Sequence, residues 1–208
     1  IAETAERFQL DLYLVSDEPT FPTSLFDSPP RLENSALWNF IEQRYRTLFA
    51  QYPSVRGVVV RLGEQYLTAG FSGIRVDKYS KRAWGEEGLV PLTRQVVRRL
   101  QHIIIEQCGR RYIHRAWDLG FDRIHSRPER HRAVFADLIR ENFYVSTKIN
   151  VGDFNLDQPF NPAFGQYENQ IVEFQCKMEH AGMGDLPLFM GEVFHRFLQE
   201  HVRHLQGA

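Results

Sequence analysis

YVSTKINVGDFNLDQPFNPAFGQYENQIVEFQCKMEHAG, residues Tyr144 to Gly182, holds two strand-like runs joined by a loop with almost no helical character. In Phe143–Lys148 the apolar, β-branched and aromatic residues fit a buried strand, and Lys148 and Asp153 stand where it opens into loop. The second run covers 170–176, where one carboxylate, Glu173, interrupts an apolar series. A charge in such a run is costly unless it is paired or used. Two carboxylates and an ammonium at neighbouring strand ends therefore point to a site.

Outward from this stretch, short strands alternate with amphipathic helices. Phe8–Val15 reads as a strand running into Ser16-Asp17-Glu18, and the proline-rich 19–30 as loop. Leu37, Phe40, Ile41, Tyr45, Leu48 and Phe49 follow helical spacing, which predicts a helix over Ser35–Gln51 stopped by Pro53. Val55–Arg61 is the next strand, leading through Leu62-Gly63-Glu64 into a glycine-rich loop that extends to Trp84. Val96, Val97, Leu100, Ile103 and Ile104 predict a second helix near Pro91–Gln107, ended by Gly109. Tyr112–Asp118 reads as a strand, and Ser126 with Pro128 as the start of a helix that buries Val134, Phe135 and Leu138. The last helix, about Gly191–Leu205, is expected to bury Phe194, Phe197, Leu198, Val202 and Leu205. Its histidines, His195, His201 and His204, are expected to face solvent.

This alternation predicts parallel pairing through right-handed crossovers, an α/β architecture. No GxGxxG or P-loop pattern follows any strand, which argues against a nucleotide fold. Polar residues gather after the strands (Asp17, Glu18, Glu64, Trp117, Asp118, Asp153), as they do in a (β/α)8 TIM barrel with its active site at the C-terminal strand ends. Five strands are legible where a closed barrel has eight, so a single domain over 1–208 is expected to be a portion of a larger barrel. Such a portion has bare strand edges.

Composition excludes more than it assigns. A chain of 208 residues with 43% hydrophobic and 25% charged residues fits one globular core. A formal charge of −1 leaves no electrostatic footprint for nucleic acid or an anionic membrane. No apolar run approaches the roughly 18 residues of a membrane span. The two cysteines, Cys108 and Cys176, are too few for a disulfide framework or a zinc site. Ile1 is not an initiator methionine, so a signal peptide would be invisible and the compartment stays open.

Glu64 follows a strand beside Gly63 and could present its carboxyl to a cleft; the plainer reading is a solvated loop glutamate. Asp153 after Gly152 carries the same two readings. Glu173 has a structural ion pair as its plainer alternative. Arg115 and Lys148, inside strands, suit an anionic substrate group, or a partnership with one of these carboxylates. Trp117 and Trp84 suit stacking on a sugar ring or anchoring, and His180 near Glu179 is the histidine kept near the site. A protonated carboxyl on one wall and an ionised carboxylate on another is what glycosidic cleavage needs.

These pieces, taken in order, resemble the catalytic barrel of glycoside hydrolase family 67, the α-glucuronidases that remove glucuronic or 4-O-methylglucuronic acid from xylo-oligosaccharides. Its Lys-Asn-Gly-Pro-x-Asp-Phe-Gln segment is similar to Lys148-Ile-Asn-Val-Gly-Asp153-Phe154-Asn155, and its Pro-x-x-Pro-Leu-Phe-Gly-like piece to Pro159–Gly165. Its Glu-x-Gln-x-x-Gln-Glu-Tyr-x-Gly is similar to Glu173-Phe-Gln175-Cys-Lys-Met178-Glu179-His180-Ala-Gly182. Upstream, its Trp-Arg-Ala-Phe strand is similar to His114-Arg115-Ala116-Trp117, and its Gly-Phe-Leu-Val-Lys-x-x-Ser-Glu-Gly segment to Gly57–Glu64. The resemblance implies Glu64 as general acid, and Asp153 and Glu173 as the carboxylates that activate water in an inverting reaction. It implies Arg115, Lys148 and Arg61 at the uronate carboxylate, with Trp117 and Glu179 lining the sugar. Arg61 stands three residues before Glu64, where the family's lysine stands four before its acid. Gly-Glu-Gln replaces Ser-Glu-Gly at the acid and Met-Glu-His replaces Gln-Glu-Tyr, the pattern of a divergent relative. By this comparison the chain runs from about the third barrel strand to just past the seventh. The implied partner is an oligosaccharide bearing uronic acid; no cofactor is implied, and a homo-oligomer stays open.

Two other classes use the same residues. A metal-dependent sugar isomerase or epimerase would take Glu64, Asp153, Glu173 and His180 as ligands for Mn²⁺ or Mg²⁺. A non-catalytic carbohydrate-binding domain would keep the cleft without turnover.

Overall fold

A computed structural model describes residues 1–27, 30, 32–62, 71–73, 89–116, 124–152, 158–174 and 191–206. The chain opens with a short helix, α1 (Ala2–Arg7), then β1 (Leu12–Asp17), β2 (Thr20–Pro22) and a single 3-10 turn at Thr23–Leu25. There follow α2 (Ser35–Gln51), β3 (Val55–Arg61), β4 (Phe71–Gly73), α3 (Leu89–Gln101), β5 (Arg111–Arg115), α4 (Pro128–Phe135), β6 (Phe143–Lys148), β7 (Gln170–Glu173) and α5 (Gly191–Gln206).

The expected α/β architecture is present. Five of the described strands form one sheet in the order β1-β3-β5-β6-β7, every neighbouring pair parallel. The order follows the chain without reversing, unlike a doubly wound sheet, which turns back at a switch point. Alternate strand residues divide the two faces. Val58, Val60, Tyr112, Phe143 and Val145 merge with Leu37, Ile41 and Tyr45 of α2, Val96, Val97 and Leu100 of α3, and Val134 and Phe135 of α4 in one core. All three helices therefore lie on the same face. The other set (Val15, Val59, Ile113 and their neighbours in register) contributes nothing to that core, and Val15 is 65% exposed.

Local chemistry explains most boundaries. Asn34 caps α2, its Oδ1 accepting from the Ala36 amide at 2.9 Å. α3 runs on as a wider π-helical turn over His102–Gln107 and stops at Gly109, whose φ of 63° is cheap for glycine alone. Gly57 is required for another reason: a Cβ there would sit 2.2 Å from the Arg111 carbonyl oxygen, so β3 and β5 approach closely only because this position has no side chain.

Several expectations need correction. The first strand begins at Leu12 rather than Phe8, because 2–7 is helical and Phe8 and Leu10 are 62% and 65% exposed. Residues 20–22, expected as loop, pair antiparallel with 71–73 in a second small sheet. The strand expected over 112–118 ends at Arg115, and that expected over 170–176 ends at Glu173, with Phe174 outside it. α4 starts at Pro128 with Arg127 at the cap position and no side-chain cap, so Ser126 does not begin it. On α5, Leu198 and Val202 are 41% and 44% exposed, whereas His201, expected in solvent, is buried between Phe160 and Phe164.

Candidate functional site

Parallel strands in unbroken order bring their C-terminal ends to one edge of the sheet, and register fixes which residues meet there. Asp17 pairs with Arg61, Arg61 with Arg115, and Arg115 with Ser146; one step further, Lys148 pairs with Glu173. By the period of two, all six project from the face opposite α2, α3 and α4. One row beneath them lie Val15, Val59, Ile113 and Tyr144, a mostly apolar floor under a charged layer.

The charges are paired in opposite directions. Arg61 turns towards β1 and grips Asp17 with two parallel bonds, Nε to one oxygen at 2.7 Å and Nη2 to the other at 2.9 Å. Arg115 instead reaches across β6 to β7. Its Nε lies 2.8 Å from both oxygens of Glu173 and its Nη2 2.5 Å from one of them. Ser146, on the strand crossed, donates its hydroxyl to the same carboxylate at 3.3 Å. Arg115 and Glu173 are each 19% exposed, so the pair is largely withdrawn from water while still open to a solute. Bidentate bonds of this kind are the strong form of the ion pair.

Lys148 is 3% exposed and its strand end is fixed from behind. Asn161 donates Nδ2 to the Lys148 carbonyl at 3.1 Å and to the His125 carbonyl at 2.8 Å, while its Oδ1 accepts from the Ala163 amide at 2.9 Å. The segment after β6 thus folds back on itself, with Asn161 N–H donating to Ile149 O at 3.0 Å. Glu18, fully buried on the helix side of β1, holds the other end of the edge. Its carboxylate accepts from Ser16 Oγ at 2.8 Å, Tyr45 Oη at 2.6 Å and the Thr20 amide at 3.2 Å, and is ion-paired with Arg44. Its own amide donates to Arg61 O at 3.0 Å. Burial pulls the Arg44 guanidinium down and Glu18 pushes it up, with a net rise; burial, helped by Glu18, raises Tyr45 well above the ordinary phenol.

No family model matches this chain, and no curated protein does.

Of the residues singled out from sequence, Arg61, Arg115, Lys148 and Glu173 therefore lie on one edge and one face. Glu64, Asp153, Trp117, Glu179, His180 and Trp84 fall outside the described residues. Arg61 and Arg115 share a register position but do not converge on a common point, each being drawn to its own carboxylate. Among the described residues no cluster of three or more His, Cys, Asp or Glu side chains is arranged to hold a metal ion. Sequence reading passed over Ser146 and Asn161, and set Asp17 among the polar residues after the first strand without giving it a partner. That partnership had a usable signal: counted by twos from Tyr13, Asp17 falls on the same face as Arg61, but ending the strand at Val15 hid it. Asn161 had none, since its role depends on carbonyls 13 and 36 residues away. A cleft of about 590 Å³ lined by Glu6, Asp11, Pro53 and Arg56 lies at the opposite, N-terminal ends of β1 and β3, apart from these groups.

Proposed function

We propose that this chain is the greater part of a (β/α)8-barrel glycoside hydrolase domain, about strands three to seven, that removes an α-linked glucuronosyl group from an oligosaccharide with inversion. The observation that carries the reading is the paired row at the strand ends. Two guanidiniums, an ammonium and two carboxylates stand at the level where (β/α) barrels do their chemistry, on the face a barrel turns inward. Cations there suit the carboxylate of a uronic acid, with arginine offering two parallel donors and lysine a point charge.

In this reading Glu64 protonates the leaving oxygen. Glu173, with Asp153, takes a proton from the water that attacks the anomeric carbon from the other side, and Arg115 and Lys148 hold the uronate, while Arg61, the third cation expected there, is held to Asp17. The metal-isomerase alternative is less well supported, because both oxygens of Glu173 already accept N–H bonds from Arg115. The test is release of free glucuronic acid from a xylo-oligosaccharide carrying it, followed with and without EDTA. Glu64→Gln is expected to lower kcat by about a thousandfold on this poor leaving group and by little on a nitrophenyl glycoside, since protonation matters only for the former. Equal loss on both removes Glu64 from the acid role, and loss of activity with EDTA favours the isomerase.

A further inference from the structure

We propose that the Arg115–Glu173 pair is a latch worked by the substrate's own charge: an anionic group on the bound sugar takes Arg115 over, and the carboxylate of Glu173 turns to the attacking water. The inference rests on the hydrolase reading and names what makes that site selective for an acidic sugar. In the arrangement described above, both Glu173 oxygens point at Arg115 hydrogens and one also accepts from Ser146, so the lone pairs needed for the proton are engaged. Arg115 is the cation in the middle of the row, and it is turned away from its register partner Arg61, which Asp17 draws towards the opposite edge. A uronate that takes Arg115 by its Nε and Nη2 edge competes with Glu173 for the same donors. Competition of this sort couples the two events: whatever occupies Arg115 releases the base. A neutral sugar of the same shape leaves the latch shut.

The step the latch controls is balanced by the groups already named. A water O–H bond breaks, its proton going to the freed Glu173 carboxylate while its oxygen bonds to the anomeric carbon. The glycosidic C–O bond breaks with its electron pair on the leaving oxygen, which takes the proton of Glu64. Ser146 marks where the carboxylate returns when product departs, its hydroxyl lying on the strand between the two partners.

Binding separates the latch from catalysis. Glucuronate affinity is measured by calorimetry on the full chain, with glucose as the neutral control and circular dichroism as the check of fold. Glu173→Gln removes the competing charge and is expected to tighten glucuronate about tenfold, because the population with Arg115 available rises. Ser146→Ala should act in the same direction at smaller size, and Arg115→Lys should weaken glucuronate about tenfold or more with glucose unaffected. Unchanged or weaker glucuronate binding in both Glu173→Gln and Ser146→Ala overturns the latch. A second arm needs no variant: formate is expected to raise kcat on a nitrophenyl α-glucoside and to compete on the matching α-glucuronide. No rise in kcat with formate, where the glucuronide is turned over, also overturns it. Tighter binding in Glu173→Gln, with no uronoside turned over by the wild-type chain, keeps the exchange of partners and defeats the hydrolase reading; wild-type turnover without that tightening does the reverse.

Discussion

At the scale of single residues, Glu18 and Asp17 show how adjacent carboxylates can serve opposite sides of one sheet. Glu18 is fully buried and meets four donor groups; Asp17, one residue earlier, faces the open side and holds Arg61. Removing one member of a buried, hydrogen-bonded charge pair strands the other. Glu18→Ala is therefore expected to lower stability by roughly 3–5 kcal/mol, seen as a fall of about 6–20 °C in Tm for a chain of this length. A fall under about 2 °C would show that water reaches Arg44 freely and the network is weak. Asn161 is the comparable anchor behind Lys148, and Asn161→Ala should release two carbonyls at once, at a cost of about 2 kcal/mol or more.

Elements were legible where their pattern was self-contained. α2 is where helical spacing put it, from Ser35 to Gln51, because five buried positions, a cap at Asn34 and the stop before Pro53 all agree. β3 and β6 were equally plain, being β-branched and buried. What sequence could not supply was contact between distant segments. The pairing of 20–22 with 71–73, the burial of His201 by Phe160 and Phe164, and the reach of Arg115 across β6 all depend on partners far along the chain. Half of the candidate site was visible as residue types at strand ends, and an ion pair of Arg115 with one of the carboxylates stood among the alternatives; which carboxylate it takes was not legible. At this scale Gly57 gives the sharpest test. A methyl group there meets the Arg111 carbonyl, so Gly57→Ala must push β3 from β5 and is expected to cost about 3 kcal/mol in denaturant unfolding. Stability equal to wild type would mean that the two strands are not this close.

For the whole molecule, acid sensitivity should come first from histidine. Burial, reinforced by the charge of His131, holds His114 down at about 3, and burial with His125 holds His131 at about 4, against an ordinary value of 6.5. Both are neutral when folded, and the unfolded chain takes up protons first. Stability is thus fully present above pH 6.5 and falls as the pH drops through the window towards 4 and 3, with a slope of about 1.4 kcal/mol per unit for each group. Urea unfolding at pH 7 and pH 5, before most carboxylates titrate, checks this, and His131→Leu should flatten the slope; an unchanged slope would remove His131 from the account. The sheet itself has one more consequence. β5 is hydrogen-bonded on both sides, whereas β1 and β7 each have one described neighbour. In deuterated water, amide protection should therefore fall off in both directions from the middle: Tyr112 to His114 would be last to take up the isotope, and the outer rim of β1 would be among the first to lose its protons.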